Sequence, residues 1–201
     1  QLATRLGDVF NLLTSRSRTA LPRQQTLRAL IEWSYDLLSE SEKILFRRLA
    51  VFSGGWSLEA AEAACSIEGS VSVLDDLARL VDKSLVIKEE LDGKARFHML
   101  ETIRQYAEFK MFASEEVEEV KNRHRDGFMQ LAETAEPKLR TGEQLPWLNQ
   151  LELEHDNLRA AIKWSTEQKH VEQALRIPSA WHISGRFMDM TERDAIGSTR
   201  H

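Results

Sequence analysis

The sequence predicts a mainly α-helical fold that carries a single β-hairpin. Only 4 prolines and 9 glycines interrupt the 201 residues, so long stretches are free to form helix. Apolar residues recur at three- and four-residue spacing along most of the chain, which is the spacing of an amphipathic helix. The spacing changes to two residues on either side of Asp92-Gly93, and Asp-Gly is a strong signal for a two-residue hairpin turn. We therefore expect helices before and after one two-stranded sheet.

The composition is that of an ordinary globular protein, and it excludes several classes. Hydrophobic residues make up 42% and charged residues 29% of the chain, which argues against disorder and low complexity. The one cysteine, Cys65, excludes an internal disulfide and a multi-cysteine metal cage, and it favours a cytoplasmic location. No apolar run approaches the roughly 20 residues that cross a bilayer, so we expect no membrane association. The net charge of −5 argues against nucleic acid as a partner of the chain as a whole.

The first 22 residues are predicted to be a short helix and a basic connector. The chain opens with Gln1 inside a helical pattern, so we expect a piece of a longer protein. The helix spans Leu2–Leu13, and its apolar residues are Leu2, Leu6, Val9, Phe10 and Leu13. The connector, Ser15–Arg23, contains three arginines and no acidic residue. It is either a phosphate contact or a solvated loop between domains, and we favour the loop because runs of charge are usually solvated.

The next stretch is predicted to form two helices joined by a capped turn. The first, Thr26–Leu38, is expected to bury one face, formed by Leu27, Leu30, Ile31, Ser34, Tyr35 and Leu38 and widened by Trp33 and Leu37. Ser39 and Glu42 have the spacing of a capping box, which starts a second helix that continues to Phe52. Beyond the Gly54-Gly55 turn, Trp56 is expected to be a core anchor.

Two more helices lead into the hairpin. Ser57 is expected to cap Leu58–Cys65, and Cys65 to be a small buried hydrophobe rather than a nucleophile. Ser70–Lys83 is amphipathic, and apolar strands then flank Asp92-Gly93. Three helices followed by a two-stranded hairpin are the outline of a winged helix, a relative of the helix-turn-helix. We therefore predict a winged-helix domain over residues 23–112.

The remainder of the chain is predicted to be helical. A linker helix is expected over 113–140, with a break marked by Pro137 and by Thr141-Gly142. Two starts are possible for the next helix. Thr141 and Gln144 could form a capping box. Alternatively, Pro146 favours a start at about Leu145, because proline is best tolerated at the beginning of a helix. Antiparallel helical pairs over 141–201 suggest the first unit of an α-solenoid. A third helix is expected over Val171–Ile177; the helical pattern weakens from Pro178, and Ile183–His201 is a poorly specified tail.

No motif in the sequence carries recognisable catalytic chemistry. The glycines do not form a phosphate-binding loop, and the GxSxG and HExxH patterns are absent. The six histidines lack the spacing of metal ligands. His155 and Asp156 are adjacent on a helix and are expected not to face each other. We therefore expect no enzyme activity, no metal and no cofactor within the chain.

The charges of the winged helix argue against DNA binding. DNA contacts depend on Lys and Arg, since half to two-thirds of them are made to the backbone. A DNA-binding alternative would use Arg79, Lys83 and the wing residues Lys94 and Arg96. Asp75, four residues before Arg79, is expected to pair with it. Between Ser70 and His98 there are five basic residues (Arg79, Lys83, Lys88, Lys94, Arg96) and six acidic ones (Asp75, Asp76, Asp82, Glu89, Glu90, Asp92), a net charge of −1.

Five separated stretches match one known family in the order of that family. They are LPRQQTLRALIEWSYDLLS (Leu21–Ser39), FRRLAVFSGGW (Phe46–Trp56), LVDKSLV (Leu80–Val86), LETIRQYA (Leu100–Ala107) and LEHDNLRAA (Leu153–Ala161). In these stretches the chain resembles bacterial signalling ATPases of the STAND class, the AfsR-like and LuxR-like transcriptional regulators. These proteins are related to the NB-ARC ATPases. The resemblance covers Leu2 to about Leu175.

The resemblance implies domains and a ligand outside this chain. It implies an ATP-binding core upstream, with ATP or ADP bound in the parent protein, and residues 1–22 as the end of the ATPase helical subdomain. It also implies a tetratricopeptide-like array over 141–201 that binds an unknown protein partner. Met99, Leu100 and Glu101 correspond to the Met-His-Asp motif with which NB-ARC proteins sense the nucleotide. Leucine replaces the histidine, while Glu101 keeps a carboxylate for pairing with the core. The tail after Ile177 departs from the family pattern.

Our main hypothesis is a regulatory fragment of a nucleotide-switched signalling ATPase and transcriptional regulator of the bacterial cytoplasm. The winged helix would pack against its own upstream ATPase core and couple that core to the helical array. DNA would be bound only through other domains, and the chain alone would not hydrolyse ATP. The alternative hypothesis is a DNA-binding winged-helix transcription-factor module that uses the four basic residues named above.

Overall fold

The computed structural model describes residues 22–66, 72–91 and 93–168. The predicted helix Leu2–Leu13, most of the connector, the predicted helix Val171–Ile177 and the tail lie outside the described residues. Within the described part, the prediction of a mainly helical fold with one antiparallel hairpin is confirmed. None of the helices in this part is long and apolar enough to span a membrane.

The helices and strands follow one another in the order that the sequence predicts. They are α1 (Pro22–Asp36), α2 (Glu40–Arg48) with a following 3₁₀ turn (Leu49–Val51), α3 (Leu58–Cys65), α4 (Val73–Asp82), β1 (Ile87–Leu91), β2 (Lys94–His98), α5 (Glu101–Phe112), α6 (Val117–Lys138), α7 (Gln144–Leu153) and α8 (His155–Glu167).

Two of the N-terminal caps proposed from the sequence, those of Ser39 and Ser57, are confirmed. The Ser39 hydroxyl accepts the backbone N–H of Glu42 at 3.3 Å, and the Glu42 carboxylate accepts the N–H of Ser39 at 2.7 Å. This capping box satisfies two donors that a helix start leaves unpaired. The Ser57 hydroxyl likewise accepts the N–H of Ala60 at 3.2 Å. Local hydrogen bonds therefore fix where α2 and α3 begin.

The hairpin has the expected register and is extended by a short third segment. Its strands pair from Ile87 opposite His98 to Leu91 opposite Lys94. Gly93 has a φ of 76°, a left-handed conformation that glycine adopts without strain. On the other side of β2, Trp56 and Phe97 exchange two backbone hydrogen bonds of 2.8 Å. The hairpin is thereby tied to the segment between α2 and α3.

Aromatic side chains form the centre of the core. Trp56 and Phe52 are fully buried and stacked, with ring centroids 5.2 Å apart, which confirms Trp56 as a core anchor. Phe52 also contacts the rings of His124 and Phe128 on α6. The winged helix and the long helix after it consequently share one hydrophobic core.

The expectation that one broad face of α1 is buried is wrong. Ile31 and Leu38 are buried and Tyr35 packs against the core, but Trp33 is 64% exposed. Leu27, Leu30 and Leu37 are exposed as well. The reason is that the apolar arc is too wide for the neighbouring helices, which contact only one side of it.

Two details of the helices after the hairpin also differ from expectation. Helix α6 runs through Pro137 and ends one residue later, at Lys138, so the predicted break lies just after the proline and not at it. The predicted capping box of Thr141 and Gln144 is absent: the Thr141 hydroxyl accepts the N–H of Glu143 at 3.3 Å and donates to the carbonyl of Lys138 at 2.9 Å. Helix α7 begins at Gln144, so Pro146 is its third residue, where its missing N–H costs nothing.

The helices that follow the hairpin pack against one another and against the winged helix. Helix α6 contacts α3 on one side and α8 on the other, and α7 contacts both α6 and α8. Leu151, Leu158 and Ala161 are buried in these contacts. The continuation of this packing into a solenoid remains a prediction.

Candidate functional site

The exposed face of α4, the second helix of the helix-turn-helix, carries little positive charge. Its exposed residues are Leu74, Asp75, Ala78, Arg79 and Asp82. The expected pairing of Arg79 with Asp75 is wrong, because Arg79 donates to Asp76 at 3.1 Å. The buried Asp76 carboxylate is held in place by the Ser41 hydroxyl of α2, at 3.2 Å, and so offers a fixed partner. The basic group of this face is therefore already engaged.

Lys83, at the end of α4, is engaged by the capping box of α2. Its ammonium donates to the Glu42 carboxylate at 2.7 Å. Burial by itself would raise the pKa of Glu42, but Lys83 and the N–H of Ser39 together hold that pKa below its ordinary value. Lys83 thus neutralises a buried carboxylate of its own domain.

The two wing candidates differ in their surroundings. Lys94 is exposed at the hairpin turn. Arg96 is turned inward and donates to the Glu154 carboxylate at 2.5 Å and to the carbonyls of Gly55 and Leu153 at 2.9 and 2.7 Å. Glu154 lies at the junction of α7 and α8, so the wing is connected directly to the helices that follow.

Asn157 completes this polar contact, which we call the wing joint (Gly55, Arg96, Glu154 and Asn157). Its amide donates to the Gly55 carbonyl at 2.9 Å and to Glu154 at 2.8 Å. Its side-chain oxygen accepts the N–H of Ser53 at 2.9 Å. Glu154 is 5% exposed and Asn157 is 1% exposed, and each has its partners. A satisfied buried polar network of this kind favours one relative orientation of the elements that it joins.

Glycine at position 55 is required by the closeness of the wing joint. A Cβ atom there would lie 2.9 Å from Nε of Arg96 and 3.1 Å from the Phe97 carbonyl oxygen. Both distances are too short for an ordinary contact. The sequence placed Gly55 in a turn but gave no sign of this approach. It also marked Asn157 only as part of a helix junction, although Asn157 lies in one of the stretches that carry the family resemblance.

The nucleotide-sensing candidates lie together after β2 but differ in exposure. Met99 is buried, whereas Leu100 is 53% exposed. Glu101, the first residue of α5, accepts from Arg104 at 2.8 Å and from Gln105 at 2.7 Å. The Arg104 guanidinium holds the pKa of Glu101 below its ordinary value. Glu101 is thus paired within its own helix, and its role toward a nucleotide remains a prediction.

A cleft lies beside the wing joint, and the described residues that line it include no recognisable catalytic constellation. It has a volume of about 680 Å³ and is bounded by α3, β2, α6 and α7. Ala60, Ala63 and Gly127 form part of its wall, and His124 lies at its base.

Among the described residues no three potential ligands are grouped so as to hold a metal ion. Burial raises the pKa of Cys65 to about 12, so this thiol is unsuited to nucleophilic chemistry.

His155 and Asp156 are closer than the sequence predicts. The His155 Nδ1 lies 3.4 Å from the Asp156 carboxylate, so the expectation that they do not face each other is wrong. Both residues are in the first turn of α8. Asp156 is 71% exposed, so the pair lies on the surface and is poorly placed for proton transfer in a closed site.

Lowering the pH is expected to destabilise the fold through His124. The pKa of His124 is lowered from the ordinary 6.5 to about 4; burial is the main cause, the contact with Asn157 opposes it, and the charge of Lys121 contributes to it. Between these two values the unfolded chain holds the proton and the folded chain does not, so stability falls as the pH falls. The full difference corresponds to about 3 kcal/mol. Denaturant unfolding between pH 7 and pH 4 measures it.

The matched control for this prediction is His124→Gln, which cannot titrate. Wild type and variant share every carboxylate, so acid titration of those groups affects both chains equally. The wild-type chain should lose more stability than the variant over this interval. Parallel pH profiles for the two chains would contradict the prediction.

Comparison with known proteins identifies a domain type. Residues 38–110 match the family model of the winged helix-turn-helix domain. Proteins named "Putative HTH-type transcriptional regulator", Mb0914c of Mycobacterium bovis and Rv0890c of Mycobacterium tuberculosis, are each 46% identical over 182 residues. That match covers 90% of this chain and 20% of each relative. An uncharacterized protein of Mycobacterium tuberculosis, Rv0894, is 40% identical over 124 residues, which is 60% of this chain and 31% of the relative. No solved structure matches the chain.

The comparisons bear on the two hypotheses unequally. The chain spans about a fifth of the length of the regulators that it matches. Their names describe transcriptional regulation, and so they fit the DNA-binding alternative more directly than the nucleotide-switched main hypothesis. The chain thus contains a winged helix-turn-helix domain, within a stretch that is similar to part of mycobacterial proteins named as transcriptional regulators.

Proposed function

We propose that this chain is the winged-helix part of a transcriptional regulator and that its winged helix works by contact with its own protein. The observation that carries the proposal is the wing joint. Arg96, a wing residue suited to a phosphate, instead binds Glu154 and two backbone carbonyls. The winged helix is thereby coupled to α7 and α8, so that a movement of either unit is passed to the other.

The ion pairs of three basic candidates support the same proposal. Arg79, Lys83 and Arg96 pair with Asp76, Glu42 and Glu154, whose side chains are 2%, 4% and 7% exposed. To bind a phosphate, each cation would have to leave its carboxylate. A buried charge without a partner is strongly destabilising, so these three cations are costly to redirect to DNA.

A second candidate function is direct DNA binding by the winged helix. The family match and the names of the relatives favour it. Of the four basic candidates, Lys94 is the one whose side chain is exposed without a described ion pair, and Lys88 on β1 is also exposed. These two lysines would have to supply most of the phosphate contacts.

The salt dependence of DNA affinity separates the two candidates. For the chain with its wing joint closed, we expect only non-specific binding to duplex DNA, with a Kd of about 10⁻⁴ M or weaker at physiological salt. Because few phosphates would be neutralised, the slope of log affinity against log salt should be shallow. Fluorescence anisotropy with a library of duplexes measures both quantities.

Lys94→Gln and Lys163→Gln form a matched pair for this measurement, because both lysines are exposed but Lys94 lies on the wing and Lys163 lies on α8. Our proposal predicts equal, small effects of the two substitutions. Sub-micromolar affinity with a steep slope, together with a tenfold loss in Lys94→Gln alone, would establish DNA binding in place of our proposal.

The nucleotide-switched parent is a further part of the proposal. Its support is the resemblance of the five sequence stretches to STAND-class regulators. On this view ATP binds to an upstream core, Glu101 faces that core, and the chain alone does not hydrolyse ATP. Turnover by the purified chain above that of a mock preparation would contradict this part of the proposal.

A further inference from the structure

The cleft beside the wing joint has the dimensions of a small-molecule site. Its volume of about 680 Å³ lies within the roughly 300 to 1,000 Å³ that is typical of ligand pockets. It is bounded by α3, β2, α6 and α7, and its lining includes Glu154 of the wing joint. A molecule held there would therefore contact the wing and the helices that follow it at the same time.

The walls that α3 and α6 give to the cleft are apolar, and several of their side chains are small. They are lined by Ala60, Ala63 and Ala64 of α3 and by Gly127, Phe128 and Leu131 of α6. Such walls leave space for the apolar body of a ligand and offer it no competing polar group.

The glycine in this wall is not explained by packing. Gly127 lies in the interior of the long helix α6, where glycine stabilises a helix less than alanine does. A Cβ atom at this position would lie 4.0 Å from the Cβ of Ala63, which is an ordinary contact. Alanine would thus fit and would stabilise the helix, whereas glycine keeps this part of the cleft open.

Two of the four charged residues that line the cleft are bound by other groups of the chain. Glu154 accepts from Arg96 at 2.5 Å as part of the wing joint. Arg123 donates to the Glu119 carboxylate and, at 2.8 Å, to the carbonyl of Ser66. Their charges are therefore already balanced within the chain.

The other two charged residues are Glu59 and Lys94. Glu59 is in the first turn of α3, and its pKa is lowered mainly by its own backbone N–H and by the Ser57 hydroxyl; burial opposes them, and the charge of Lys94 is the smallest cause. Lys94 is exposed on the wing at the edge of the cleft and has no ion pair in the described part of the chain. An anionic group that enters the cleft would therefore meet an ammonium that can bind it.

We propose that this cleft binds a small amphipathic carboxylate, with its apolar body against the walls from α3 and α6 and its carboxylate at Lys94. Such a ligand would connect these two helices to the wing. It would stabilise the arrangement in which the wing joint is closed, because a ligand that binds only the folded state adds to its stability. The binding is independent of the proposed function, since it requires neither DNA nor another domain.

Calorimetric titration of the full chain with octanoate tests the proposal, and 1-octanol is the matched probe that keeps the apolar body but lacks the charge. We expect saturable binding of octanoate and roughly tenfold weaker binding of 1-octanol, because a hydrogen bond to a charged group is lost. Lys94→Gln should weaken octanoate binding by a similar factor. Lys88→Gln, which changes an exposed lysine on β1 outside the cleft, should not.

Three results of these titrations would overturn the proposal. They are the absence of octanoate binding, equal affinities for the two probes, and equal effects of the two lysine substitutions.

Substitutions in the wall test where the apolar body lies. Ala63→Leu places a larger side chain in the cleft, and Ala78→Leu makes the same change at an exposed position of α4 outside it. We expect Ala63→Leu to abolish octanoate binding and Ala78→Leu to leave it unchanged. Octanoate binding that survives Ala63→Leu would place the ligand elsewhere and contradict the proposal.

Gly127→Ala gives a readout in which stability and binding change in opposite directions. The midpoint of chemical unfolding without ligand should rise, because alanine favours the helix, while octanoate binding should weaken. A Gly127→Ala chain that binds octanoate as tightly as the wild-type chain would count against the proposed site.

Discussion

Replacing Phe52 by alanine is expected to lower the free energy of unfolding by about 4 kcal/mol, within the range measured for large aromatic deletions in cores. Phe52 is 0% exposed. Its ring stacks on Trp56 and makes edge contacts with His124 and Phe128, at centroid distances of 5.2, 5.2 and 6.3 Å. The deletion therefore removes contacts on both sides of the boundary between the winged helix and α6, and these partners cannot all move into the space.

The matched control for this prediction is Phe112→Ala. Phe112 is 58% exposed, and the Lys121 ammonium lies 5.3 Å from its ring centre. An exposed cation–π contact contributes about 0.5 to 1 kcal/mol, so this variant should lose no more than that. Chemical denaturation followed by circular dichroism measures both variants. Similar losses in the two would mean that Phe52 does not connect the two parts of the core.

Replacing Arg96 by methionine is expected to lower the free energy of unfolding by about 3 kcal/mol, because it removes one partner of a buried ion pair. Methionine keeps most of the side-chain length but cannot donate to Glu154 or to the two carbonyls. The Glu154 carboxylate, with 7% of its side chain exposed, would retain only the Asn157 amide. Hydrogen exchange of the amides in β2 and at the start of α8 should rise together, since the wing joint holds both.

The double variant Arg96→Met/Glu154→Leu distinguishes the charge effect from simple loss of packing. Replacing both partners of a buried pair by apolar residues is often neutral or stabilising, so the double variant should recover most of the loss. If the double variant is less stable than Arg96→Met alone, the ion pair is not the dominant contribution of Arg96.

Much of the fold was predictable because its determinants are local. The capping box of Ser39 and Glu42 needs only residues three apart, and the turn of the hairpin needs a residue that tolerates positive φ, as Gly93 does. Trp56 could be identified as an anchor because a large aromatic residue beside glycines more often packs into the core than binds a ligand. Such features depend on residues that are close in the sequence, so they can be predicted without knowing how the rest of the chain folds.

The candidate site was less predictable because side chains choose partners in three dimensions. Arg79 pairs with Asp76 rather than Asp75, since Ser41 of another helix fixes the carboxylate of Asp76. The sequence identified Arg96 as a wing residue but gave no indication that it turns inward. Its partner Glu154 is 58 residues away along the chain.

By itself the sequence determined the order of helices and strands, the capped helix starts, the single hairpin and the low positive charge of the winged helix. Each of these depends on periodicity, on neighbours within four residues or on a sum of charges. Only the tertiary structure decided that three of the four candidate cations are bound by buried carboxylates, that Gly55 must lack a side chain and that one side of α1 stays exposed. Those outcomes depend on which surfaces meet, and contacts between distant segments are set by packing of the whole chain rather than by any local pattern.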